Sequence, residues 1–295
     1  MLFDDRFSVR DATSNRSYWI ALFVRVDEIG ELRYFYYAMT TVELFLTIFT
    51  VIMLAVQLHI GRKHKINHAN LRLITGSQLV LHEVSMSARI LLILFETNLL
   101  TVENLSHFPV PHLACLRYCS YMNIVWFLPA VFVERALATY FVIDYEKKNR
   151  LQISILLNVA TCCIAGVTSY CVLIEAMETI VFCSLIIIPN SLSALGLYVI
   201  YKVNTRRMSN LNGLLMVKGN GDSYSLSLRL QLNENIATLK RLLPMSICMI
   251  LILLMVIGAY IFSSTYHSTI LPSRLQILTS ATNLWMCLYA SSPIQ

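Results

Sequence analysis

An acid and a base stand side by side at Glu134 and Arg135, in the run VERALATYFVIDYEKKNR (133–150) that follows a long apolar stretch. Other ionisable residues sit within apolar sequence nearer the N-terminus: Glu43, then His82, Glu83 and Arg89. Groups of these types can relay protons, form an ion path, lock helices together or switch between two pairings. Hydrolysis needs more, either a metal cluster or a nucleophile beside a base. His82-Glu83 lacks the second histidine of a zinc-binding HExxH helix, and no His-rich companion segment exists. The eight cysteines show no CxxC and no Cys/His cluster, and most of them read as small buried hydrophobes. There is no Gly-rich phosphate loop and no internal repeat. The expectation is a protein that is not an enzyme, holds no metal or cofactor, and has no nucleic-acid partner.

The elements that must position these residues are written in the composition. Of 295 residues, 57% are hydrophobic and only 14% charged, and the mean hydropathy is +0.63. Soluble domains carry about 25% charged residues, so the deficit points to a polytopic membrane protein. A helix crossing the bilayer core needs about 20 apolar residues. Seven segments qualify: Tyr34–Ile60, Leu73–Phe95, Leu113–Ile143, Leu151–Ile174, Ile180–Tyr201, Leu242–Phe262 and Leu271–Ala290. The fold class is therefore all-α, a seven-helix transmembrane bundle over 34–291. The third span exceeds the bilayer and is expected to project beyond it. The last is diluted by Thr279, Ser280, Thr282 and Asn283. The charged start MLFDDRFSVRD is not that of a signal peptide, so the first span is expected to act as the insertion signal.

Loop charge sets the orientation. The connections 61–72, 144–150 and 202–241 carry four, three and seven Lys/Arg, whereas 96–112, 175–179 and 263–270 carry none. The N-terminus (1–33) is then outside, the C-terminus inside, and 202–241 is the third cytoplasmic loop. Its first half, rich in Gly, Asn and Ser, is expected to be mobile, and its second half to extend the sixth span inward as helix. Two Asn-x-Ser/Thr sequons, at Asn15 and Asn104, fall in segments placed outside and are candidate glycosylation sites. Tyr34, Phe35, Tyr36 and Tyr37 suit an aromatic belt at the outer interface. Every lysine lies in an inside loop, which excludes a retinal Schiff base in the last span.

Charges inside a span are functional candidates. His82, Arg89 and Glu96 share one helical face at sevenfold spacing. Glu43 lies roughly 13 Å below the outer end of its span and Arg89 roughly 10 Å below its own, so the two are at matching depth. Two readings stand: an ion pair between them, or an Arg89 that snorkels to the headgroups above a Glu43 facing a polar interior. Glu134 and Arg135 lie roughly 30 Å below the outer end of the third span, at the cytoplasmic edge. Rhodopsin-like receptors place a switch of this kind there, an Arg restrained by its neighbouring acid and by the sixth helix. Here Ala136 replaces their usual aromatic residue, and their Asn-Pro-x-x-Tyr element is absent from the last span. A simple interfacial anchor is the competing reading of the pair.

A longer string is more specific. ERALATYFVIDYEKKNR (134–150) resembles the ERxxATYFxxDYE signature of nematode serpentine receptors of class epsilon. So does SLSLRLQLNENIATLKRLL (225–243), with Gln231, Glu234 and Asn235 in a Gln-x-x-Glu-Asn element. The resemblance extends over most of the chain. It implies a G-protein-coupled chemosensory receptor in the plasma membrane of sensory neurons, with a small-molecule ligand and a heterotrimeric G protein as partners. It also implies a coupling face of Glu134, Arg135, Asp144, Tyr145, Lys240 and Arg241, while Glu43, His82, Glu83 and Arg89, as ionisable residues inside spans, remain the ligand-pocket or intramembrane polar candidates. Receptors of this shape often tie the third helix to the 175–179 connection, which favours a Cys115–Cys183 disulfide over Cys115–Cys171. The alternative is a seven-helix transporter or channel using Glu43, Glu83 and Arg89.

Overall fold

The computed structural model describes residues 8–10, 17–19, 33–63, 69–100, 109–141, 151–174, 176–218 and 223–265. Six helices carry the fold: α1 (Arg33–Lys63), α2 (Ala69–Glu96), α3 (Val110–Tyr140), α4 (Leu151–Leu173), α5 (Thr179–Lys218) and α6 (Ser223–Thr265). Each holds a segment long and apolar enough to cross a membrane. The expected last span, 271–290, lies outside the described residues. The departure from an all-helical reading is a short antiparallel pair, β1 (Ser8–Arg10) with β2 (Ser17–Trp19), in register Val9 to Tyr18. Val, Tyr and Trp suit such a pairing.

The helices alternate in direction. Leu92 of α2 packs with Val110 and Ala114 near the start of α3, while Leu71 and Ile74 pack with Val131 near its other end. Cys183 and Ile186 early in α5 share a cluster with Ile257 late in α6, and Leu197 later in α5 meets Leu239 earlier in α6. The central helix is α3: 56% of its most apolar window is buried, against 12–39% for the others. It packs on α2, α4, α5 and α6. At Gly196 of α5 a Cβ would overlap the ring of Phe132 of α3, so the approach there is close. Ser77 of α2 donates to Asn158 Oδ1 of α4 at 2.7 Å. Large apolar side chains cover the outside of the bundle, among them Phe45, Leu156, Val167, Leu192 and Leu195. In water that surface would be unstable, and in lipid it needs no cover.

Three expectations are corrected. The third span starts and stops three residues earlier than predicted, at Val110 and Tyr140, with Pro109 and Pro111 at its first turn, where missing N–H groups cost nothing. The first half of the 202–241 loop is not irregular as far as Lys218, and 219–222 lie outside the described residues. α5 continues as helix through it to Lys218, because Lys, Arg, Leu and Met there are good helix formers, and it stops where the sequence reads GNG (219–221). The second half is helical as expected and belongs to α6. Finally, Tyr36 is no belt residue. It is fully buried, whereas Tyr34 and Phe35 are exposed.

Candidate functional site

Two polar clusters sit near opposite ends of the bundle. The first is at the end that loop charge assigns to the outside. Arg89 of α2 grips Glu43 of α1 with two hydrogen bonds, Nε to Oε1 at 2.6 Å and Nη2 to Oε2 at 2.8 Å. Its third arm, Nη1, donates to Glu96 Oε1 at 2.6 Å, one helical repeat along the same face. Tyr36 closes the far side, donating its hydroxyl to Glu96 Oε2 at 3.0 Å. From α3, Arg117 lies close enough to Glu96 to act on its carboxylate. Arg117 also donates to the Tyr121 hydroxyl from Nε at 3.1 Å and from Nη2 at 2.9 Å. Glu43, Arg89, Glu96 and Arg117 are each 1–3% exposed. Two acids and two bases are thus buried together as a charge-balanced quartet, in which the Arg89 hydrogen bonds clip α1 to α2 and Arg117 of α3 lies alongside. Bidentate Arg–carboxylate geometry gives such a pair both strength and direction.

The second cluster is at the opposite end. Arg135 Nη2 donates to Glu134 Oε1 at 2.7 Å, and Nε donates to Oε2 of the same carboxylate. Both residues belong to α3, so this pair alone ties no helices together. The tie is Arg135 Nη1 to Asn235 Oδ1 of α6, at 2.9 Å. One turn further along α3, Thr139 engages α5: its hydroxyl accepts from Asn204 Nδ2 at 3.1 Å and its carbonyl from Arg207 Nη1 at 3.0 Å. Glu134, Arg135, Asn204 and Asn235 are buried, while Lys240 and Arg241 are exposed on α6.

The structure thus brings Glu43 to Arg89 and Glu134 to Arg135. His82 is placed deeper on α2, with both ring nitrogens buried and without a hydrogen-bond partner among the described residues. Glu83 is half-buried on another face of α2, beside exposed Val80 and Ser87, out of line with Glu43 and Arg89. Cys115 and Cys183 are free thiols. The expected bridge is not formed: Cys183 is packed in an apolar cluster with Met122 and Val125, bordered by Cys119 rather than Cys115. Asp144, Tyr145, Asn15 and Asn104 lie outside the described residues. Sequence reasoning missed Tyr36, Arg117 and Tyr121 at one end, and Thr139, Asn204 and Arg207 at the other. Arg117, a charge within the third span, was the one signal available for the first group.

The comparisons with known proteins bear on this geometry. Residues 11–292 match the family described as Sre G protein-coupled chemoreceptors. The chain is 31% identical over 175 residues to serpentine receptor class epsilon-1 of Caenorhabditis elegans, covering 57% of this chain and 48% of that protein. It is 23% identical over 285 residues to serpentine receptor class epsilon-38 of the same organism, covering 84% and 75%. The match to the first thus spans about half of that relative's length. With six membrane-length helices, buried charge clusters at both ends and a family match over nearly its whole length, this chain belongs to the Sre family of G protein-coupled chemoreceptors.

Proposed function

We propose that the protein is a chemosensory receptor of the sensory-neuron plasma membrane that binds a small molecule within its bundle and signals to a heterotrimeric G protein. It has seven spans, the seventh over 271–290, with its N-terminus outside and its C-terminus inside. The observation that carries this reading is the hydrogen bond from Arg135 to Asn235. It joins the central helix to α6 at the end where loop charge places the cytoplasm. Glu134 holds the guanidinium in position, and loss of this bond leaves α6 held to α3 there by apolar contacts such as Leu128–Leu239, which can slide. That is a two-state element at a helix interface. Exposed Lys240 and Arg241 flank it and suit an acidic partner surface or anionic inner-leaflet lipid. The outer cluster clips α1 to α2 and gives the remaining helices a fixed frame to move against.

The test is a ligand screen in cells, read as nucleotide exchange on co-expressed G proteins and normalised to surface receptor number. A ligand that raises exchange supports the reading. A compound carried across the membrane by the protein, with exchange unchanged, supports the transporter instead.

A further inference from the structure

One face of α2 carries polar groups on four levels, Gln78, His82, Ser85 and Arg89, at spacings of four, three and four residues. Arg89, at the top, is saturated by Glu43 and Glu96. The three below it are not. Gln78 Oε1, both ring nitrogens of His82 and Ser85 Oγ are buried and have no hydrogen-bond partner among the described residues. Ser85 is 0% exposed and Gln78 8%. Some hydroxyls of this bundle are satisfied within their own helices: Thr47, Thr50, Ser120 and Ser184 each donate to a carbonyl one turn back. Ser85 does not, nor do Ser154 and Ser169 of α4, but of these three only Ser85 shares its helix face with two further open polar side chains.

Of the helices packed on α2, α1 does not supply the missing bonds. Tyr36 meets Glu96 and Glu43 meets Arg89, a register that sets Thr47 level with Ser85 and Thr50 level with His82. Both threonine hydrogens are committed to α1, to Glu43 O at 2.7 Å and Leu46 O at 2.8 Å. The open groups extend roughly 10 Å along α2, and His82 is about 20 Å from either end of that helix, which puts them at mid-membrane. Unpaired polar groups are costly there, and no bulk water relieves them.

The stripe offers hydroxyl and imidazole donors and amide, hydroxyl and imidazole acceptors, but no free charge. The charges above it are matched within their own quartet. A carboxylate or ammonium would arrive at the bilayer centre without a counterion. A hydroxyl both donates and accepts, and so meets both kinds of open group. We infer that the ligand is a small uncharged hydroxyl compound, held by Gln78, His82 and Ser85 beneath the ion quartet. This rests on the receptor reading above and gives it a ligand class. It also moves the ligand contacts away from Glu43 and Arg89, which serve as structural clips.

The test uses the full-length receptor, purified and reconstituted. The probes are alcohols built on hexyl, cyclohexyl and benzyl skeletons, each matched with its hydrocarbon, amine and carboxylate. Binding is read as a shift of the thermal unfolding midpoint, and signalling as nucleotide exchange. The expected result is that an alcohol binds and its three matched compounds bind at least about tenfold more weakly, the cost of one lost hydrogen bond in a dry site. Ser85→Ala and His82→Leu should each weaken the alcohol about tenfold. Neither should lower the unfolding midpoint of the ligand-free protein, because each removes an unpaired buried group. Thr168→Ala on α4 should leave binding unchanged. The inference is overturned if no alcohol shifts the midpoint, if a charged analogue binds as tightly, or if both α2 variants bind like wild type. Alcohol binding that depends on Ser85 but produces no exchange would remove the receptor reading and leave the site. Exchange driven by a charged compound would do the reverse.

Discussion

Asn235 is the residue on which the switch can be tested most directly. Glu134 and Arg135 are neighbours on one helix, so their pairing cannot by itself restrain α6. Asn235 supplies the contact across the interface, 2.9 Å from the guanidinium, with all three residues buried. A hydrogen bond to a charged group contributes about 1.5–3 kcal/mol. Asn235→Ala removes that stabilisation from the closed arrangement alone. At about 1.4 kcal/mol per factor of ten, the open population should rise about tenfold or more. Starting from an active fraction of about 1%, ligand-independent exchange becomes measurable. Asn235→Asp acts in the opposite sense, because a carboxylate facing Arg135 strengthens the closed state and should lower basal exchange. Glu134→Gln should raise it by weakening the group that aims the guanidinium. The assay is nucleotide exchange per receptor at the cell surface. Equal normalised activity in wild type, Asn235→Ala and Asn235→Asp would refute the switch and leave Glu134–Arg135 as an interfacial anchor.

The outer quartet predicts a different pattern. Arg89→Ala strands two buried carboxylates, and breaking a buried pair costs about 3–5 kcal/mol. Surface expression should fall sharply and recover in part in the Glu43→Gln, Arg89→Gln double variant, whereas additive losses would reject the coupling. Gly196→Ala should lower the thermal unfolding midpoint of the purified protein by overpacking against Phe132, at about 1–3 kcal/mol, and Phe132→Ala should restore part of the loss. For topology, glycosidase treatment should change the apparent mass of the wild type but not of an Asn15→Gln, Asn104→Gln variant, and a tag within 202–241 should resist protease on intact cells.

Six of the helices were legible because apolar length and loop charge are strong one-dimensional signals. The end of α5 was not. Its polar residues read as loop, yet the same Lys, Arg, Leu and Met propagate a helix once the spanning part has nucleated it. The Glu43–Arg89 pair was half legible: depth matched the partners, but snorkelling gave an equally good account of Arg89 until the third arm was seen on Glu96. Arg117 shows the limit more plainly. Its closeness to Glu96 depends on how α3 rotates against α2, and no spacing within either helix encodes that rotation. The same holds for Arg135, whose neighbour in sequence was obvious and whose partner 100 residues away was visible only as one letter of a motif. That Gln78, His82 and Ser85 lack partners among the described residues is a property of the assembled interface and could not be read from the chain.

The lengths of α5 and α6, 40 and 43 residues, make them about 60 and 65 Å long, against a hydrocarbon core of about 30 Å. On the receptor reading, much of that excess is a two-helix stalk standing in the cytoplasm, with the Arg135–Asn235 bond near its root. From Asn235 to the start of α6 at Ser223 is about 18 Å of rod. A tilt of about 15° at the root therefore carries the free end sideways by nearly 5 Å, so a displacement large enough to break one hydrogen bond is magnified at the tip. The leverage also runs backwards. A partner that grips the tip applies torque to the same bond, so holding the stalk in its displaced position should tighten binding of whatever ligand favours that position.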